Sequence, residues 1–273
     1  MGFYKIIASD LDGTLLNSDS QVSPENMVAI REIAERGGWF VPASGRTYSE
    51  IPENVRKNPD IRYVIHSNGA VILDKKTGER NLACISREQL PVIWEMLKEY
   101  EVHVVLRYGG DCYLDEKMGC EAAYQYYNVA PVQAMLAEKY DIKIRDFESF
   151  VKTLDDIEVV AASFRHLEEL LACQERLMAT GMFLTARPER SLLEIFHRDA
   201  GKGNALWRLA DMLGVDRKAT IAVGDSDNDL GMLKAAGLSL VVSNGQPAAL
   251  EIADKIICSN DEHSAQYICA HYF

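Results

Sequence analysis

The stretch FYKIIASDLDGTLLNSD, residues 3–19, sets an apolar run against two aspartates two residues apart and then a glycine. The run before Asp10 has the length and isoleucine content of a buried strand, and Asp12-Gly13 is turn chemistry. Taken alone, the two carboxylates are solvated punctuation between a strand and whatever follows. The rest of the chain decides whether they are more.

Strand and helix signals alternate after this stretch. SPENMVAIREIAERGG places Ser23 as N-cap, Pro24 at the first helical position and Gly37 past the helix end. WFVPAS and RYVIHS read as further strands, and AVILDKKTGERNL as a hairpin. The last third repeats the alternation: GKGNALWRLADMLG is a helix, TIAVG a strand, DNDLGMLKAAG a helix, LSLVVS and KIICS strands. This pattern predicts an α/β fold, a doubly wound parallel sheet with helices on both faces.

The middle third differs. EVHVVLR, CYLD, IEVVAASF and MFLTAR read as strands among helical patterns at Leu90–Tyr100 and His166–Thr180. An α+β domain inserted over residues 84–188 is expected, between core segments 1–83 and 189–273. In its second helix Leu167, Leu170, Leu171, Leu177 and Met178 form one expected core stripe. His103 and His166 are expected at its surface.

The formal net charge of −12 argues against nucleic acid as a partner, because phosphate backbones need a basic surface. No apolar run approaches the ~18 residues of a membrane span, and the first residues lack the form of a signal peptide. A myristoylation signal on Gly2 fails because Ile6 stands where Ser or Thr is required. The cysteines Cys84, Cys112, Cys120, Cys173, Cys258 and Cys269 show no metal-type spacing, which suggests reduced thiols and a cytoplasmic location.

In an open parallel sheet, ligands bind beyond the carboxyl ends of the strands. Four polar clusters fall at such positions: Asp10-Leu11-Asp12-Gly13-Thr14, Ser44-Gly45-Arg46, Gly201-Lys202-Gly203, and Gly224-Asp225-Ser226-Asp227-Asn228-Asp229. The last alone suits a calcium loop, but Leu230 stands where that loop needs glycine and Ala236 where it needs glutamate. Together, Asp10, Asp12, Asp225 and Asp229 would crowd one sheet edge, where they must protonate or share a cation. Donors that are all oxygen point to Mg2+. Ser44, Lys202, Asn228 and backbone amides would then hold a phosphoryl group. One carboxylate can attack phosphorus while a second moves the proton.

The order D-x-D-G-T, S-G-R, Lys, G-D-x-x-N-D resembles the four-motif signature of the haloacid dehalogenase-like superfamily of phosphotransferases. The insert between the second and third motifs, Asn68-Gly69-Ala70, and LLEIFHRDAGKGNAL before the lysine resemble its Cof-type (type IIB) branch. The resemblance implies that Asp10 is the nucleophile, forming an aspartyl phosphate, and Asp12 the general acid/base. It implies magnesium on Asp10, the Asp12 backbone carbonyl and Asp225. Phosphate contacts would come from Leu11, Ser44, Gly45, Lys202 and Asn228, with Asp229 and Arg46 behind them. Leu11 and Asp12 fit phosphatases and phosphomutases, not dehalogenases or ion pumps.

The expected activity is hydrolysis of a small phosphorylated metabolite, a sugar phosphate foremost. Arg107, Tyr108, Arg187 and His197 are the expected substrate contacts outside the motifs. A phosphomutase and a catalytically silent binding module are the alternatives; the second is disfavoured because Asp10, Asp12 and Lys202 are all intact. The family's alanine-rich turn is here VVSNGQP with Asn244 kept, and His263-Ser264-Ala265 stands where relatives carry Gly-Val.

Overall fold

The computed structural model describes residues 4–273; Gly2, and Phe3 at the start of the first expected strand, lie outside the described residues. The strands in chain order are β1 (Ile6–Ser9), β2 (Trp39–Pro42), β3 (Tyr63–His66), β4 (Val71–Asp74), β5 (Arg80–Leu82), β6 (Val102–Tyr108) and β7 (Asp111–Asp115). They continue as β8 (Ile142–Ile144), β9 (Val159–Phe164), β10 (Phe183–Glu189), β11 (Leu192–His197), β12 (Thr220–Gly224), β13 (Leu238–Val242) and β14 (Lys255–Ile257). The chain folds as two compact units. One takes the residues up to Arg46, Ile51–Asn81 and Gly201–Phe273; the other takes Thr47–Glu50 and Leu82–Ala200.

In the first unit β14-β13-β12-β1-β2 form a parallel sheet. The chain starts in β1, steps to β2 on one side, and later fills the other side with β12, β13 and β14. The order therefore reverses between β1 and β12, the usual place for a ligand in such sheets. Every residue of β1 and β12 is buried, which is why both read as unbroken apolar runs. Ile6, Ala8, Val41, Ala222 and Val241 pack with Ala205, Leu206 and Leu209 of the helix Lys202–Leu213. The first helix, Pro24–Glu35, begins as expected: the Ser23 hydroxyl accepts from the Asn26 amide, and Gly37 beyond its end takes φ 79°.

RYVIHS does form β3, but not as a full member of the parallel sheet. It pairs antiparallel with β4 in a sheet ordered β3-β4-β5, and one bridge, Ala43 to Ile65, ties it to the parallel array.

The second unit is a six-stranded sheet ordered β10-β11-β9-β6-β7-β8. Residues 189–200, expected in the core domain, belong here because β11 pairs antiparallel with both β10 and β9. One sheet face, with Leu106, Val160, Ala162, Phe164, Leu193 and Ile195, packs on the helices Leu90–Leu97 and Leu167–Ala179. The buried stripe of the latter helix is Leu170, Cys173 and Leu177; Leu171 and Met178 are exposed, a correction to the expected stripe. His103 is also buried, not superficial. Its Nε2 lies 3.1 Å from the Met118 carbonyl oxygen and its ring packs on Tyr124 and Tyr127. Among the described residues, no helix is long and apolar enough to cross a membrane.

Candidate active site

β1 ends at Ser9, and the Asp10 amide continues the ladder by donating to the Val223 carbonyl of β12 at 2.9 Å. That bond fixes Asp10 at the carboxyl end of the central strand, where its side chain is buried. Lys202, in the first turn of its helix, reaches the same point. Its Nζ donates to Asp10 Oδ1 at 2.6 Å and to Asp229 Oδ1 at 2.7 Å.

The chain leaves Asp10 through one wide turn, Leu11–Leu15, closed by the Leu16 amide donating to the Leu11 carbonyl. Gly13 has φ +75°, and a Cβ there would lie 2.8 Å from Asp225 Oδ2, so both the turn and the approach of Asp225 require glycine. Thr14 Oγ1 donates to Asp225 Oδ1 at 3.0 Å, and the Asn244 carboxamide donates to the Gly13 carbonyl at 2.8 Å. After β12, Asp229 turns back on the strand end: its Oδ2 accepts from the amides of Asp225 and Ser226. Asp229 thus divides its oxygens between Lys202 and the backbone.

Asp10, Asp225 and Asp229 each offer an oxygen within 4.8 Å of the others. Three carboxylates around one ammonium leave surplus negative charge. Burial, then the Asp229 carboxylate, push Asp10 well above the ordinary carboxyl range against the pull of Lys202. Burial and Asp229 raise Asp225 in the same way, and its carboxyl is close enough to Asp10 to share a proton. Burial alone would lower Lys202; Asp10 and Asp229 outweigh it and hold the ammonium charged.

Ser44, buried, follows the Ala43 bridge, and its Oγ accepts from the Arg46 amide at 3.1 Å. Arg46 turns the other way and grips Asp12 with two bonds, Nε to Oδ2 at 2.9 Å and Nη2 to Oδ1 at 2.5 Å. Asp12 is half exposed, beside the buried Asp10. Leu11 is fully buried, and Gly45 lies against the Asn68 side chain. Asn228 is exposed on the turn Asp227–Asp229, its Oδ1 accepting from Ser226 Oγ. The structure therefore gathers Asp10, Asp225, Asp229 and Lys202 directly, and pairs Asp12 with Arg46.

The other expected contacts all belong to the second unit. Arg107 is buried in an ion pair with Glu194 at 2.7 Å. Tyr108 packs on Tyr113, Arg187 is exposed on β10, and His197 Nδ1 accepts from the Asp199 amide. Sequence reasoning gave no role to Thr14, although it stands in the opening motif, or to Arg208, which carries no local signal.

A family model of the haloacid dehalogenase-like hydrolases matches residues 7–268. The "Phosphatase YwpJ" of Bacillus subtilis (strain 168) is 30% identical, with 98% of this chain and 99% of that protein covered. The "5-amino-6-(5-phospho-D-ribitylamino)uracil phosphatase YcsE" of the same organism is 26% identical over 98% of this chain and 95% of its own. A solved haloacid dehalogenase-like hydrolase from B. subtilis superposes with a TM-score of 0.80 at 28% identity, covering 98% of this chain and 100% of that one. The clustered motifs at the switch point and these likenesses agree: the chain belongs to the haloacid dehalogenase-like hydrolases, in their Cof-type branch, and is a phosphoric monoester hydrolase.

Proposed function

We propose that this enzyme is a magnesium-dependent phosphatase of small metabolites, sugar phosphates foremost, working through an aspartyl phosphate on Asp10. The observation that carries the reading is the surplus of buried carboxylate: Asp10, Asp225 and Asp229 surround the single ammonium of Lys202. The donors are all oxygen, which fits a hard divalent cation. Asp229 already spends both oxygens, so Asp10 and Asp225 would hold the ion, with the Asp12 backbone carbonyl, and Asp229 would hold Asp225 in place. When bound, magnesium offsets the charge of the phosphoryl oxygens.

The protein's own groups do the rest. Lys202, Ser44, Asn228 and the amides of Leu11 and Gly45 would orient the phosphoryl group. An Asp10 oxygen attacks phosphorus as the P–O bond to the leaving group breaks, and Asp12 gives that oxygen its proton. Asp12 then takes a proton from the water that attacks the phosphorus, the bond from phosphorus to Asp10 breaks, and inorganic phosphate leaves with Asp10 again a carboxylate and Asp12 again protonated. The phosphoribityl group in the substrate for which three relatives, 24–28% identical, are named supports a phosphate on a polyhydroxylated chain. None of the six cysteines forms a disulfide, which supports a cytoplasmic setting.

Release of inorganic phosphate from a panel of phosphomonoesters, before and after chelation, tests the reading. Activity should vanish on metal removal, return with magnesium, and rank sugar phosphates first by kcat/KM. Full turnover without metal would overturn it, and a requirement for a bisphosphate activator would point to a mutase.

A further inference from the structure

Three consecutive residues after β3 adopt left-handed backbone: Ser67 at φ 51°, Asn68 at 53° and Gly69 at 82°. Two of them carry side chains, for which this region is unfavourable, and a run of three persists only where neighbours hold it. All three are buried.

The neighbours that hold it are the two phosphate-side motifs. On one side the Ser67 amide donates to the Arg46 carbonyl at 2.8 Å and the Asn68 amide to the Ser44 carbonyl at 3.1 Å. On the other the Asn68 carbonyl accepts from the Gly201 amide at 2.7 Å, and the Gly69 carbonyl from Arg208 Nη2 at 2.7 Å. The left-handed turn is what lets successive N–H groups face one motif while successive C=O groups face the other. Contact is close throughout. A Cβ on Gly69 would lie 2.4 Å from the Gly201 carbonyl oxygen, and one on Gly45 would lie 2.9 Å from Asn68 Oδ1.

Ser44 and Lys202 are far apart in sequence, and between them the chain twice leaves this unit, at Thr47–Glu50 and Leu82–Ala200. Chain continuity therefore does not set their spacing. We propose that Ser67-Asn68-Gly69 is a positioning strap that sets the distance between Ser44 and Lys202, so that both meet one phosphoryl group. The proposal rests on the reading of those two residues as phosphate ligands.

Gly69→Ala and Gly78→Ala make the test. Gly78, in the turn between β4 and β5, has nearly the same φ, +78°, but nothing within 4 Å of its Cβ position. Both variants suffer the same backbone strain; only Gly69→Ala pushes on Gly201. Turnover of p-nitrophenyl phosphate and competitive inhibition by inorganic phosphate are measured at a temperature where each protein is folded. Gly69→Ala should lose about 10²-fold in kcat/KM and bind phosphate correspondingly weakly, since about 1 Å of misplacement costs that much. Gly78→Ala should lose thermal stability and keep wild-type kcat/KM and phosphate inhibition.

A folded Gly69→Ala that matches Gly78→Ala in both readouts overturns the strap. If Gly69→Ala does not fold, Arg208→Met, which removes the bond to the Gly69 carbonyl, should weaken phosphate inhibition; unchanged inhibition there overturns it too. Ser44→Ala and Lys202→Met check the underlying reading separately. Phosphate inhibition insensitive to both would remove the ligands, and with them the strap's purpose.

Discussion

In the parallel-sheet unit Lys202 is buried between Asp10 and Asp229, at 2.6 and 2.7 Å; in the inserted unit Arg107 is buried against Glu194, at 2.7 Å. Both are ion pairs out of water, yet they differ in setting. Lys202 meets carboxylates at the ends of β1 and β12, and with Asp225 they form the one group of three within a cation's reach among the described residues. Arg107 and Glu194 lie within β6 and β11, and Arg107 lines a cavity of about 40 Å³ with Glu50, Cys112, Tyr124 and Asp141, with room for water and little else. A buried pair is thus not in itself a site. What marks the first is that its carboxylates converge within a cation's reach at strand ends; the acids around Arg107 lie along a sheet face and make no such group among the described residues.

The largest effect expected from this contrast is at Asp10. Asp10→Asn removes the attacking oxyanion, so turnover should fall to background, whereas Asp12→Asn should retain a remnant about 10²–10⁴-fold below wild type. Because burial and Asp229 work against an ionised Asp10, the metal-free Asp10→Asn protein should melt no lower than wild type. Rapid quenching with labelled substrate and borohydride trapping should mark Asp10 alone. An Asp10→Asn enzyme with ordinary turnover would break the comparison outright.

Arg107 should behave in the opposite sense. Arg107→Met strands Glu194 in the interior and should cost about 3–5 kcal/mol in denaturant unfolding, while Arg107→Met with Glu194→Leu should recover most of that loss. A single variant as stable as wild type would mean that the pair does not hold the insert together.

How much of this was legible beforehand follows from which interactions are local. The strand ends of the core were readable because β1 and β12 are buried on both faces and interrupted by polar residues only where they stop. The helix caps Ser23 and Gly37 were readable for the same reason: their partners lie within a few residues. The end of the insert was not, because LLEIFH is as apolar as a core strand, and only antiparallel pairing with β9 and β10 assigns it. The positions of Leu171 and His103 depend on which sheet face a helix covers, which no local period reveals. In the site, the motifs supplied Asp10, Asp225, Asp229 and Lys202. The grip of Arg46 on Asp12 and the bond from Arg208 to Gly69 join distant segments and leave no mark on spacing.

The smallest expected effect concerns Asp141, on the cavity wall beside Arg107. Burial, then repulsion from Glu50, raise its carboxyl from 3.8 to about 6, against the attraction of Arg107 and Lys143 and a hydrogen bond from Cys112. The folded protein therefore holds this proton more tightly than the unfolded chain does. The stability this confers is complete below about 3.8 and is lost as pH rises through about 6. Thermal unfolding should accordingly fall by about 5 °C between those limits on account of this group, the size of ~3 kcal/mol in a chain of this length. Asp141→Asn should remove that slope. Asp10 and Asp225 titrate in the same direction, so the core contributes a slope of its own in the absence of metal. Magnesium separates the two: a cation on Asp10 and Asp225 favours their ionised forms and should flatten the core's share, leaving Asp141's intact. If wild type and Asp141→Asn show the same slope with magnesium present, the inserted cluster carries no strained carboxyl, and the contrast between the two buried clusters is sharper than drawn.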